Sequence, residues 1–188
     1  MPLALVTKVN AHTVLAAVNR PAEKAGLQPG LPLPDARALC SGLHIAPSDL
    51  PGDYKAIKAL TAWCVRYTPW TATDMDPSAT GTRGLWLDIS GSAHLFGGEN
   101  ALLTDLSYRL THLGYAHRLA IADTPGVAWA VARFQQPLRQ AIVSVCSGEE
   151  KIKAALAPLP VAALRIAPNI VDGLLCLGFT LIGQLLVL

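Results

Sequence analysis

The chain has 188 residues, enough for one ordinary domain or one domain with part of a second. Hydrophobic residues make up 52% and charged residues 15%, so there is ample apolar surface to bury and a disordered chain is excluded. A net charge of +2 gives no strong electrostatic drive toward nucleic acid or a membrane, although a small basic patch fits inside a near-neutral total.

The elements follow in chain order. Leu3–Val6 and Val14–Val18 are short apolar runs around Asn10-Ala11-His12-Thr13, a strand–turn–strand pattern. Pro21–Gly26 and Pro34–Cys40 read as two short helices opened by proline, and Gly26 ends the first. His44–Ala46 is a brief strand. Asp53–Arg66 is the first long amphipathic helix, with Asp53 as its expected N-cap and Thr68-Pro69 as its stop. Trp70–Thr73 has strand composition, 74–84 reads as a loop, and Leu85–Ile89 is a strand expected to pair within a sheet. Glu99–Leu113 repeats apolar residues at 102, 103, 106, 110 and 113, which predicts a second long helix closed by Gly114. Arg118–Ala122 is a strand, Pro125–Phe134 a helix and Ala141–Val145 a strand. Helices follow at Glu149–Leu156, Pro168–Leu177 and from Leu181 onward. Strands and helices alternate without regular βαβ units, which predicts an α+β fold with helices on one face of a sheet. No internal repeat is evident, and a composition break near Ala157-Pro158-Leu159-Pro160 marks a boundary.

The longest uncharged run, 173–188, is 16 residues, short of the ~20 a membrane span needs, so buried helices and no membrane partner are expected. The apolar ending Leu185-Leu186-Val187-Leu188 suggests that something follows Leu188. Cysteines at 40, 64, 146 and 176 lack metal-ligand spacing and read as reduced core thiols of a cytoplasmic protein.

Local chemistry is sparse. Asp74-Met75-Asp76 near Asp88 is the best candidate for a divalent-metal carboxylate set, weighed against a solvated turn in which Asp bonds to nearby backbone. The turn reading is preferred, because Pro77 follows at once. The histidines at 12, 44, 94, 112 and 117 have no paired ligand spacing. Ser90-Gly91-Ser92 and Phe96-Gly97-Gly98 are small-residue turns without phosphate-loop spacing. No catalytic residue, metal ligand or cofactor site is expected from the residues alone.

The order of the turn motifs says more. Ala16–Asn19, Gly26–Leu33 and Ala36–Cys40 resemble the fingers of Y-family (UmuC/DinB-like) translesion DNA polymerases. Arg66–Pro69 and Leu85–Gly91 resemble the palm that follows, Leu113–Ala122 a later palm strand, and 159–183 the start of a helix-hairpin-helix thumb. Tyr67–Trp70, Leu87–Glu99 and Ala120–Ala130 are most similar to the catalytically silent, ImuB-type branch. The resemblance implies fingers over 1–50, a palm over 51–157 and an incomplete thumb over 158–188. It further implies a non-catalytic scaffold in damage tolerance and SOS mutagenesis. The implied partners are DNA, bound weakly, the sliding clamp, a RecA-like helper and a separate error-prone polymerase.

Departures from active members follow position by position. The first palm strand, which supplies a metal Asp, is absent ahead of Met1, so the palm is expected to lack a strand. The acidic pair expected before Leu87-Asp88 falls on Arg83-Gly84. The fingers sequence that grips triphosphate reads Asn19-Arg20-Pro21-Ala22-Glu23, with a carboxylate in the place of a cation. The nucleotide-contacting Lys falls in Asp123-Thr124-Pro125. In the thumb, the Gly-hydrophobic-Gly hairpin falls on Arg165-Ile166-Ala167-Pro168-Asn169. There Pro168 removes one amide donor, and Arg165 and Asn169 remain as phosphate contacts. At the end of the chain, Gln184, Leu185 and Leu188 resemble a clamp-binding peptide. The stronger reading is a core helix whose stripe of Leu181, Ile182, Leu185 and Leu188 packs on Val171 and Leu174. Two alternatives to the scaffold stand: a low-activity polymerase whose first strand lies upstream, and a truncated product without a role.

Overall fold

The computed structural model describes residues 1–74, 84–135 and 143–186. The chain divides into two compact units, Met1–Ile89 and Ser90–Leu188.

The first unit opens with β1 (Leu3–Val9) and β2 (His12–Val18), an antiparallel hairpin whose register shifts at Leu5/Val6. Asn10 takes a φ of 55° in its turn, a conformation Asn tolerates better than most residues. The chain then runs through α1 (Arg20–Lys24) and α2 (Leu33–Leu39) and returns as β3 (His44–Pro47), parallel to β1. The sheet order is β2-β1-β3. Ala4, Leu15, Ala22, Leu27 and Ala36 are buried as one cluster, with Val6, Val18, Leu31 and Leu43 packed on it. The small residues Ala22 of α1 and Ala36 of α2 are fully buried in this cluster, so both helices pack on the strands through alanine.

Next comes α3 (Leu50–Trp63), continued by a 3₁₀ turn over Cys64–Arg66. Its N-cap is Asp49, whose Oδ1 accepts the Gly52 amide at 2.9 Å, rather than the expected Asp53. Pro51 is the cause: proline fits the first helical turn, where an amide would lack a partner anyway, so the helix begins one turn earlier. The hairpin of β4 (Thr71–Asp74) and β5 (Gly84–Leu87) lies against α3. Among the described residues β5 pairs with β4 alone, so this sheet is two-stranded.

The second unit begins with a 3₁₀ turn at Ala93–Phe96 that the sequence did not announce, then α4 (Glu99–His112). Leu102, Leu103, Leu106 and Leu110 are buried along one face. The last member of the expected stripe, Leu113, is 53% exposed, because the helix has ended and Gly114 turns the chain at a φ of 80°. β6 (Leu119–Ala122) and β7 (Val143–Cys146) are parallel, bridged by α5 (Pro125–Phe134). Thr124 caps α5 by accepting the Val127 amide. Val127 and Val131 of α5 pack toward β6 and α6 (Glu149–Leu156), while Ala130 of the same helix joins Leu159, Ala163 and Ile182.

Beyond α6 lie a 3₁₀ turn at Val161–Leu164, α7 (Pro168–Cys176) and a 3₁₀ turn at Ile182–Gln184. In this segment the helices ending at Leu156 and Cys176 are each followed by a turn, a bridge residue and a 3₁₀ turn. Pro160 and Leu181 form an antiparallel bridge between the two segments. The amides of Val161, Ile182 and Gly183 then bond to the carbonyls of Thr180, Leu159 and Ala157 at 3.0, 2.8 and 2.9 Å. The ending corrects an expectation: among the described residues, from Leu181 to Leu186, it is not an α-helical stripe. Ile182 is buried against Ala130, Leu159 and Ala163 rather than Val171 and Leu174, and Leu181 is 41% exposed. A 3₁₀ turn has three residues per turn, so the i, i+4 spacing loses its common face. No helix among the described residues is long and apolar enough to cross a membrane.

Candidate functional site

The β4–β5 hairpin is where palm chemistry would reside. Thr68 is 3% exposed; its Oγ1 donates to the Asp88 carbonyl at 2.6 Å and accepts the Trp70 amide at 3.2 Å. The Asp88 amide donates to the Trp70 carbonyl at 3.0 Å, which extends the pairing beyond the strand ends. Thr68-Pro69-Trp70 is thus more than a helix stop: it clamps the segment that carries Asp88. At the other end Asp74 stands opposite Gly84 and is 7% exposed. A solvated turn at Asp74 was expected; the residue instead closes a strand and is buried. Met75, Asp76 and Arg83 lie outside the described residues. Asp74 and Asp88 sit at opposite ends of β5, about 13 Å apart at the usual rise per residue, too far to share a metal ion. Gly84, one of the two positions where an acidic pair was sought, carries no side chain. Among the described residues no group of three or more His, Cys, Asp or Glu side chains comes together to hold a metal.

The fingers motif forms α1. The Asn19 side chain accepts the amides of Leu3 and Ala22 at 2.9 and 3.1 Å and donates to the Met1 carbonyl, so it fixes the helix start against β1. Arg20 and Glu23 are exposed on this helix and Ala22 is fully buried. The position expected to carry a nucleotide Lys serves structure: Asp123 Oδ2 accepts the Gly148 amide at 2.8 Å, tying the end of β6 to the start of α6.

Arg165 and Asn169 are both exposed, on either side of the turn into α7. Arg165 has a φ of 55°, and its guanidinium lies 5.0 Å from the Trp129 ring centroid; Arg133 approaches the same ring at 4.9 Å. Arg118 donates to the Arg133 and Gln135 carbonyls at 2.5 and 2.6 Å, and burial lowers its pKa from the usual arginine value. Sequence reasoning missed Trp129 and Arg133; the i, i+4 spacing on α5 was the available signal. Gln184 folds back on the hairpin, its Oε1 accepting the Thr180 and Leu181 amides at 2.7 and 2.9 Å. Leu185 is half-buried and Leu188 lies outside the described residues. The thiols also depart from a uniform core reading: Cys64 is buried, Cys40 partly so, and Cys176 is exposed.

Comparison with known proteins gives the class first. The family model described as impB/mucB/samB matches residues 1–133, and the chain belongs to that family, the UmuC/DinB-like group its motif order resembles. Among individual relatives, protein ImuB from Caulobacter vibrioides (strain NA1000 / CB15N) is 46% identical over 163 residues, 87% of this chain and 33% of ImuB. ImuB of strain ATCC 19089 / CIP 103742 / CB 15 matches to the same extent. The chain therefore spans about a third of the length of these curated relatives. DinB from Sulfolobus solfataricus superposes with a TM-score of 0.69 at 15% identity, over 100% of this chain and 53% of DinB. The post-insertion binary complex of Dbh DNA polymerase gives 0.71 at 14% identity, over 98% of this chain and 52% of that one. At such identity the likeness is one of fold: an α+β arrangement of the Y-family polymerase type.

Proposed function

We propose that the chain is a non-catalytic Y-family homologue, an accessory or scaffold protein in DNA damage tolerance and SOS mutagenesis. The observation that carries this reading is the β4–β5 hairpin: Gly84 opens β5, Arg83 precedes it in sequence, and Asp74 and Asp88 stand at opposite ends of the strand. Phosphoryl transfer by two metals needs carboxylates converging on ions ~3.5–4 Å apart; this pair does not converge. Glu23 in the position of a triphosphate cation and Asp123 in the position of the Lys support the same reading. The proposed layout is fingers over 1–50, palm over 51–157 and the start of a helix-hairpin-helix thumb over 158–188, in a cytoplasmic protein. DNA binding is weak and salt-dependent. The sliding clamp, a RecA-like helper and a separate error-prone polymerase are the proposed protein partners.

Primer extension with Mg²⁺ or Mn²⁺ and all four nucleotides tests the reading. No extension is expected. Extension abolished by Asp88→Ala or Asp74→Asn would establish the second reading, a low-activity polymerase; the buried Asp74 opposite Gly84 is the observation in its favour.

A further inference from the structure

The segment that joins α3 to β4 buries its middle and exposes both flanks. Tyr67 and Thr68 are buried, while Val65 and Arg66 before them and Pro69 and Trp70 after them are exposed. Trp70 is 73% exposed, yet its backbone is fixed. Its amide donates to Thr68 Oγ1 at 3.2 Å and its carbonyl accepts the Asp88 amide at 3.0 Å. The other flank is held through Trp63. The Arg66 guanidinium lies 4.3 Å from the Trp63 ring centroid, and the Tyr67 ring meets Trp63 edge-on at 6.0 Å. Four positions separate Arg66 from Trp70, so their Cα atoms lie within ~14 Å. A single exposed apolar side chain is ordinary. An exposed Trp that is already fixed, with Val65, Arg66 and Pro69 beside it in sequence, loses little freedom when a partner arrives.

Charge and composition select the partner. Between Asp53 and Asp74 the chain carries Lys55, Lys58 and Arg66, all exposed, and no acidic residue. Asp74 itself is buried. The complement is therefore acidic. Nucleic-acid interfaces are polar and strongly basic, whereas Val65, Pro69 and Trp70 make this patch mainly apolar around one guanidinium. Trp and Arg beside aliphatic surface match the anchors of protein–protein interfaces.

We propose that residues 65–70 form a docking surface for an acidic segment of another protein. That segment seats an apolar side chain against Trp70 and Val65 and pairs a carboxylate with Arg66. The inference rests on the scaffold reading and deepens it by naming a surface for a protein partner. Trp70 supplies contact area, Arg66 sets orientation through paired N–H bonds, and Lys55 and Lys58 attract the negative charge from a distance.

The test is selection of a random dodecapeptide phage library on the immobilised full chain, followed by anisotropy of the best synthetic peptide. Selected sequences should be rich in Asp and Glu next to aromatic or aliphatic residues. Trp70→Ala should weaken that peptide at least ~30-fold and Arg66→Gln ~10-fold, and added salt should weaken wild-type binding. Tyr108→Ala, at an exposed aromatic of the second unit, should leave it unchanged. No enrichment, selected sequences without acidic residues, or wild-type affinity in Trp70→Ala would overturn the proposal. Tighter, Trp70-dependent binding of oligothymidylate would overturn it in favour of nucleic acid. If Trp70→Ala lowers the melting temperature, Arg66→Glu carries the test: it should abolish binding of the acidic peptide, and retained binding would overturn the docking surface. Primer extension lost in Asp88→Ala would remove the scaffold reading separately, while Trp70-dependent peptide binding stood.

Discussion

Gln184 separates two roles that the sequence alone confuses. Its Oε1 accepts the Thr180 and Leu181 amides at 2.7 and 2.9 Å and lies 3.3 Å from the Thr180 hydroxyl, so one carbonyl oxygen closes the last turn of the hairpin. Removing such a cap typically costs ~0.5–2 kcal/mol. The side chain is exposed, so water replaces part of the loss and ~1 kcal/mol is expected, or ~2–4 °C for a chain of this size. Gln184→Ala should therefore lower the melting temperature by that amount and speed hydrogen exchange at the Thr180 and Leu181 amides. Gln184→Glu keeps an acceptor oxygen and should keep both protections. Clamp recognition through Gln184 makes the opposite demand: it needs the amide free, so pull-down by a sliding clamp should fail in both variants if that contact exists. Exchange at 180 and 181 unchanged in Gln184→Ala would refute the capping argument. Clamp capture lost in Gln184→Glu at full stability would instead identify a real clamp peptide.

Two glycines should respond with opposite sign. A Cβ at Gly183 would meet the Ala157 carbonyl oxygen at 2.9 Å, so Gly183→Ala should destabilise by ~1–3 kcal/mol in urea melts. Nothing lies within 4 Å of a Cβ at Gly173 inside α7, so Gly173→Ala should stabilise by ~0.5–1 kcal/mol. Burial pushes the Cys64 thiol up to about 11 against the downward pull of Arg66. An unfolded thiol loses its proton near ~8.5, so between about pH 8.5 and 11 the unfolded chain binds fewer protons and stability falls as pH rises. Cys64→Ala should flatten that part of the profile; parallel profiles would contradict it. Thr68→Val removes the hydroxyl that bridges Asp88 and Trp70 and should cost ~1–3 kcal/mol, read by thermal melts.

Most elements were legible because their signals are local. Pro125 and Thr124 start α5 and Gly114 ends α4 without help from distant residues. The family showed through the order of short motifs rather than through any reactive group. What the sequence concealed depends on partners far along the chain. The bridge between Pro160 and Leu181 joins residues twenty-one positions apart, so no local signal reveals it. Asp74 is buried and pairs with Gly84, ten positions on, a partner that no local signal names. The Arg133–Trp129–Arg165 stack combines a helical i, i+4 pair with a turn over thirty residues away. The C-terminal stripe failed for a different reason: leucines at helical spacing cannot distinguish an α-helix from a 3₁₀ turn pinned by Leu159 and Ala157 carbonyls.

Helix α5 presents one side to β6 and α6 through Val127 and Val131, and places Ala130 among Leu159, Ala163 and Ile182. It therefore behaves as a shaft to which both the strand layer and the C-terminal hairpin are bolted. A hairpin joined by a bare linker could swing freely when a ligand arrived. Here any swing must first draw Ile182 out from beside Ala130, so load applied at the hairpin is delivered to the strands instead of being absorbed in the joint.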